Sequence, residues 1–103
     1  MRLARVMGTV TLSRTLPEVP ACAWLLLEAL DDAALRGLSR RAPRSSAAAE
    51  SWVTFDSLGA GVGQIVAVSE GAEAAAPFHP RRVPLDSYCG AIIDTVEMSP
   101  PPG

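Results

Sequence analysis

The residues of this chain that could do chemistry are few, and their spacing does not bring them into a reactive arrangement. The nearest approach to a nucleophile, a base and an orienting acid is Cys89, His79 and Asp86. His79 is the sole histidine and lies between Phe78 and Pro80. Nothing in the spacing fixes it relative to Cys89, so a thiol enzyme is the least favoured reading. A metal centre is poorer still, because one imidazole and scattered carboxylates do not make a ligand set. Cys22 and Cys89 lack a CxxC spacing and read as small apolar residues, not as a disulfide or a zinc pair. No catalytic residue, cofactor or metal is expected.

The run Gly59-x-Gly61-x-Gly63 invites comparison with a dinucleotide-binding loop. That loop must lead into a helix, whereas Ile65-Val66-Ala67-Val68 is strand-like. A tight bend fits better, with glycine taking positive φ or letting two backbones approach closely. Asp56, Asp86 and Asp94 stand at strand ends or inside apolar sequence, and their expected roles are structural. Asp86 follows Val83-Pro84-Leu85, where the proline holds Val83 extended. It is expected to accept local backbone N–H groups and fix a turn. Asp94 is expected to reach solvent or to accept backbone donors at an interface.

The elements that must position these residues are mostly strands. Residues 5–13 alternate, with Val6, Gly8, Val10 and Leu12 on one side, which predicts a half-buried strand. Residues 21–30 are apolar on both faces apart from Glu28, and a strand of that kind must be covered on both. Residues 52–56 alternate again, Val53 and Phe55 opposite Trp52, Thr54 and Asp56, with Phe55 assigned to the core. Residues 65–68 give a fourth strand and residues 88–98 a fifth, centred on Ile92 and Ile93. A turn of helix is expected over 72–76. A second short helix is expected after Asp31 or Asp32, with Leu35 and Leu38 on one side and Arg36 and Arg40 on the other; Pro43 ends it. Five strands in about 100 residues suit an all-β fold, a small OB-like barrel with a short helical segment.

Length and composition limit the rest. At 103 residues the chain makes one domain, and it is 49% hydrophobic but only 5% aromatic. So much aliphatic surface on a small body is expected to be shared with a neighbouring subunit. Net charge is −2, and all nine basic residues are arginine. Four of them (Arg36, Arg40, Arg41 and Arg44) make a local basic loop, not a nucleic-acid-binding protein. An OB-type binding module for single-stranded nucleic acid or a small ligand is the runner-up; it would need aromatics along a basic groove, and only Trp52 and Phe55 fall near that loop. No apolar run has signal-peptide or membrane-spanning length, so the chain reads as cytosolic.

Three segments together resemble the EutN/CcmL family of bacterial microcompartment vertex proteins. The start, through Val6-Met-Gly8-Thr9-Val10, is similar to the family's V-x-G-T-V strand. The centre, Val53-Thr-Phe-Asp56-Ser-Leu-Gly59-Ala60-Gly61-Val-Gly63-Gln64-Ile-Val66, resembles its V-x-V-D-x-V-G-A-G-x-G-E-x-V signature. The close, Pro84-Leu-Asp86 through Ile92-Ile93-Asp94-Thr-Val96, resembles P-V-D-x-x-x-x-x-I-V-D-x-V. Gln64 departs from the family's glutamate, and the 31–50 loop is longer than usual. The resemblance implies a pentamer and a cytoplasmic shell built mainly of hexamers, with hexameric and trimeric shell proteins as partners and neither nucleic acid nor membrane. It implies a barrel domain over 1–98 with an inserted Arg-rich loop at 31–50, while the prolines of Ser99-Pro-Pro-Pro-Gly103 predict a disordered tail at 99–103. Gly59, Ala60, Gly61, Gly63 and Gln64 are the expected subunit contact or axial pore; Gly8, Thr9, Asp56, Pro84, Asp86 and Asp94 are the family-motif positions.

Overall fold

The computed structural model describes residues 1–30 and 50–97. The helix expected after Asp31, the course of the Arg-rich loop and the 99–103 tail lie outside the described residues.

Among the described residues there are five strands: β1 (Arg2–Val10), β2 (Ala23–Ala29), β3 (Ser51–Asp56), β4 (Ile65–Glu70) and β5 (Ser87–Ile93). A one-turn helix α1 (Ala72–Ala75) and a 3₁₀ turn (Ala76–Phe78) lie between β4 and β5, where the alanine run predicts helix. The strands close into a barrel in the order β1-β2-β3-β5-β4. Closure removes the unpaired edges that an open five-stranded sheet would present. The all-β, OB-like expectation with a short helix holds.

The interior is aliphatic apart from the polar groups that β3 and the start of β5 turn inward. Ala4, Val6, Leu25, Leu27, Val66, Val68 and Cys89 form one cluster with Ala60 from the β3–β4 loop, and Trp52 packs against it. Each of the larger side chains contributes about 1.5–3 kcal/mol by leaving water.

Two expected faces are wrong, for identifiable reasons. In β1 the register slips between Val6, opposite Leu27, and Gly8, opposite Leu26. This is a bulge at Met7. Directly opposed residues share a face, so Val6 points inward with Leu27 while Gly8 and Val10 join Leu26 and Trp24 on the outer wall. Leu12 lies past the strand and is exposed. In β3 the register sets Trp52 opposite Leu27 and Thr54 opposite Leu25, which turns the more polar face inward. Val53 is exposed. Phe55 is buried from outside the barrel, under Trp24, Phe78 and Tyr88.

The fifth strand also differs from expectation. It ends at Ile93, and its buried residues are Ser87 and Cys89, whereas Ile92 is exposed. β5 is held along its length by β4, but to β3 it pairs in parallel through one bridge, Phe55–Tyr88. Side chains reinforce that seam on both sides. Outside, the Phe55 and Tyr88 rings stack with centroids 5.7 Å apart. Inside, Ser87 Oγ donates to Thr54 Oγ1 at 2.7 Å and accepts from Trp52 Nε1 at 2.9 Å.

Candidate functional site

The glycine loop is built on Asp56, the last residue of β3 and 1% exposed. Its Oδ1 accepts from the Leu58 N–H, and its Oδ2 accepts from the N–H groups of Gly59 and Ala60, each at 3.0 Å. Three backbone donors on one carboxylate satisfy a charge that would otherwise be costly to bury. They also curl the chain so that Ala60 drops into the core. Gly59 and Gly63 take φ of +84° and +91°, the left-handed conformation that disfavours any side chain. The loop is then laced to β1: Gly63 N–H donates to Val6 O at 2.8 Å, and Val6 N–H donates to Gln64 O at 2.9 Å.

Gln64 sits where the resembling family carries glutamate. Its Oε1 accepts from the Gly61 N–H at 2.7 Å. A neutral amide oxygen therefore makes the intra-loop contact without an ion pair.

The opposite end of β3 is closed by Arg2. Its guanidinium donates to both Glu50 carboxylate oxygens, at 2.8 and 3.3 Å, and to Glu70 at 2.9 Å. It also lies 4.6 Å from the centroid of the Trp52 ring. The hydrogen bond from Arg2, followed by its positive charge, holds the Glu50 carboxyl below the usual carboxylate range. Sequence reasoning missed Arg2, Glu50, Glu70, Thr54 and Ser87, because their partners lie 33 to 68 residues apart.

Cys89 and His79, the residues nearest to a nucleophile and a base, lie in unlike surroundings. Cys89 is fully buried, and its thiol is pushed up to about 12, first by burial and then by the negative charge of Asp56. The nucleophile would be the thiolate, and this environment suppresses it. His79 is exposed in the turn after the 3₁₀ segment. Among the described residues, no group of three His, Cys, Asp or Glu side chains could hold a metal. The aromatics are already engaged with one another or with Arg2, which leaves no row of free rings for bases.

The motif residues divide into two sets. Asp56, Gly59, Ala60, Gly61, Gly63 and Gln64 form the hydrogen-bonded loop, and Gly8 and Thr9 lie on β1, the strand to which it is laced. Pro84, Asp86 and Asp94 are exposed. The carboxylate role expected of Asp86 is performed by Asp56, and Asp86 contributes its backbone carbonyl, which accepts from Gly71 N–H at 3.0 Å. The surface also carries exposed apolar side chains. Leu26 and Val53 face each other across β2 and β3 on the outer wall, and Leu58 and Val62 stand out from the loop.

A closed barrel with a suppressed thiol, a rigid backbone loop and an apolar outer wall defines a packing unit. Comparison with known proteins agrees. The family model described as "Ethanolamine utilisation protein EutN/carboxysome" matches residues 1–94, and the chain belongs to this EutN/CcmL family. It is 33% identical over 98 residues to the carboxysome shell vertex protein CcmL of Synechococcus elongatus, covering 95% of this chain and 88% of that one. Its structure is similar to that of the pentameric shell protein MSM0273 from the RMM microcompartment, with a TM-score of 0.74 and 29% identity over 98% of this chain and 99% of that one. It is also similar to CcmL of Gloeobacter violaceus, with a TM-score of 0.74 and 31% identity over 95% of this chain and 90% of that one.

Proposed function

We propose that this chain is a structural shell protein whose homopentamers cap the vertices of a bacterial microcompartment. The observation that carries the reading is the end-to-end match, in sequence and fold, to vertex and pentameric shell proteins. The physics of the surface supports it. A head-to-tail interface with a 72° rotation closes into a ring, and such an interface needs two different surfaces on each subunit. The outer wall around Leu26 and Val53 supplies one apolar surface, and the loop around Leu58 and Val62 a second.

In this reading the barrel is a single domain over 1–98, interrupted by the 31–50 loop, and it performs no catalysis. The loop bearing Gly59, Ala60, Gly61, Gly63 and Gln64 lies at the subunit contact near the five-fold axis. Hexameric and trimeric shell proteins meet the rim, and the assembly sits in a shell in the cytoplasm. Among the described residues no helix is long and apolar enough to cross a membrane.

Native mass spectrometry of the purified chain tests the proposal: a mass of five subunits is expected, and a lone monomer at high concentration overturns it. The placement of the loop has its own test. A Cβ on Gly61 would meet only Gln64 Oε1, at an ordinary 3.7 Å. Gly61→Val should therefore leave the melting of the barrel nearly unchanged while reducing ring assembly. An unaltered ring mass would remove the loop from the interface.

A further inference from the structure

The segment between α1 and β5 forms an open cleft of about 540 Å³, with Ala75, Val83 and Pro84 among its apolar lining and His79, Arg81 and Arg82 contributing polar groups. Ion pairs among the described residues belong to Arg2. Arg81 makes one long hydrogen bond, from Nη2 to the Glu18 backbone oxygen at 3.5 Å, and neither it nor Arg82 has a carboxylate partner there. Two adjacent guanidiniums beside an apolar floor are thus left uncompensated on a chain of net charge −2.

The same chain carries a complementary segment. Beyond the end of β5, Asp94-Thr95-Val96-Glu97 runs outside the sheet; Asp94 and Glu97 are exposed and have no ion-pair partner among the described residues, and Val96 is half-buried between them. Two carboxylates flanking a small apolar residue match two guanidiniums above an apolar floor. Arginine favours this match because its planar fork binds carboxylates through two parallel hydrogen bonds.

We infer that the 94–97 segment of one subunit docks in the Arg81–Arg82 cleft of the next, with Asp94 and Glu97 paired to the two arginines and Val96 on the apolar floor. The contact rests on the head-to-tail ring proposed above and deepens it. A heterologous interface uses two different surfaces of one subunit, so an acidic strand exit and a basic cleft can satisfy each other in every copy around the ring. Complementary charge at such a contact also sets its register and orientation.

Charge reversal separates this contact from the ring itself. Native mass spectrometry would compare the full-length chain with Arg81→Glu/Arg82→Glu, with Asp94→Arg/Glu97→Arg and with all four changes together, thermal melting confirming that each variant folds. All four side chains are exposed, so folding should persist. Each double variant should lose most of its five-subunit mass in favour of monomer, and the fourfold variant should regain it. Unchanged rings in both double variants would overturn the contact while leaving the ring intact. Loss in the double variants without recovery in the fourfold variant would overturn the pairing. A monomeric wild-type chain would remove the ring and the contact together.

Discussion

The two ends of β3 hold their charges in opposite ways. At the Asp56 end one carboxylate is buried and accepts from three backbone N–H groups. At the Arg2 end one guanidinium is shared between Glu50 and Glu70, with water in reach of all three. The first arrangement is local, linking Asp56 to residues two, three and four positions later. The second joins β1, the approach to β3 and the end of β4. Buried charge-assisted bonds contribute about 1.5–3 kcal/mol each, whereas exposed ion pairs contribute about 0–1 kcal/mol. The glycine loop is therefore the firmly specified end, and the Arg2 cluster is a modest seal on the other.

Replacing Asp56 should break this comparison most severely. Asp56→Ala leaves three amides without their acceptor and releases Ala60 from the core. It should cost about 3–5 kcal/mol by urea denaturation. A loss below about 1 kcal/mol would show that the loop stands without its carboxylate.

Glycine substitutions should give intermediate effects that map the loop. Gly63→Ala places a methyl group at φ +91° and should cost about 1–2 kcal/mol. Gly61→Ala has room for its methyl group and should stay within about 0.5 kcal/mol. Equal losses at the two positions would mean that crowding, not backbone conformation, governs the loop.

The smallest effect is expected at Arg2. Arg2→Ala should cost about 1 kcal/mol, through the lost ion pairs and the lost cation–π contact with Trp52, and the loss should shrink in high salt. Glu50 adds a pH dependence. Its folded carboxyl sits below its unfolded value, so its contribution is present above the usual carboxylate range and is lost as pH falls through the folded value. Acid titration of melting temperature in wild type and Glu50→Gln should therefore converge at low pH. Parallel curves would show that Arg2 does not depend on Glu50.

The strands were legible because aliphatic and β-branched residues alternate or cluster in short runs between glycines and prolines. A tight bend at the glycine-spaced run was legible, but not which glycines would take positive φ, as Gly59 and Gly63 do and Gly61 does not. The inward face of β3 was not. Its residues Trp52, Thr54 and Asp56 look like a solvent face until Ser87, Arg2 and the loop amides supply partners for their polar atoms. Nor was the bulge at Met7 legible, because an extra residue in one strand is defined only by what lies opposite it.

The chain's own order of residues determined the element types, the tight glycine loop, the small size of the core and, through three spaced motifs, the family. Those properties follow from interactions within a few residues, or from periodicity that any single strand displays. Which faces turn inward, that the Cys89 thiol is buried beside Asp56, and that Ser87 bridges Thr54 and Trp52 were decided only by closure of the barrel. Closure brings residues more than 30 positions apart into contact, and register, unlike propensity, is a property of two strands together.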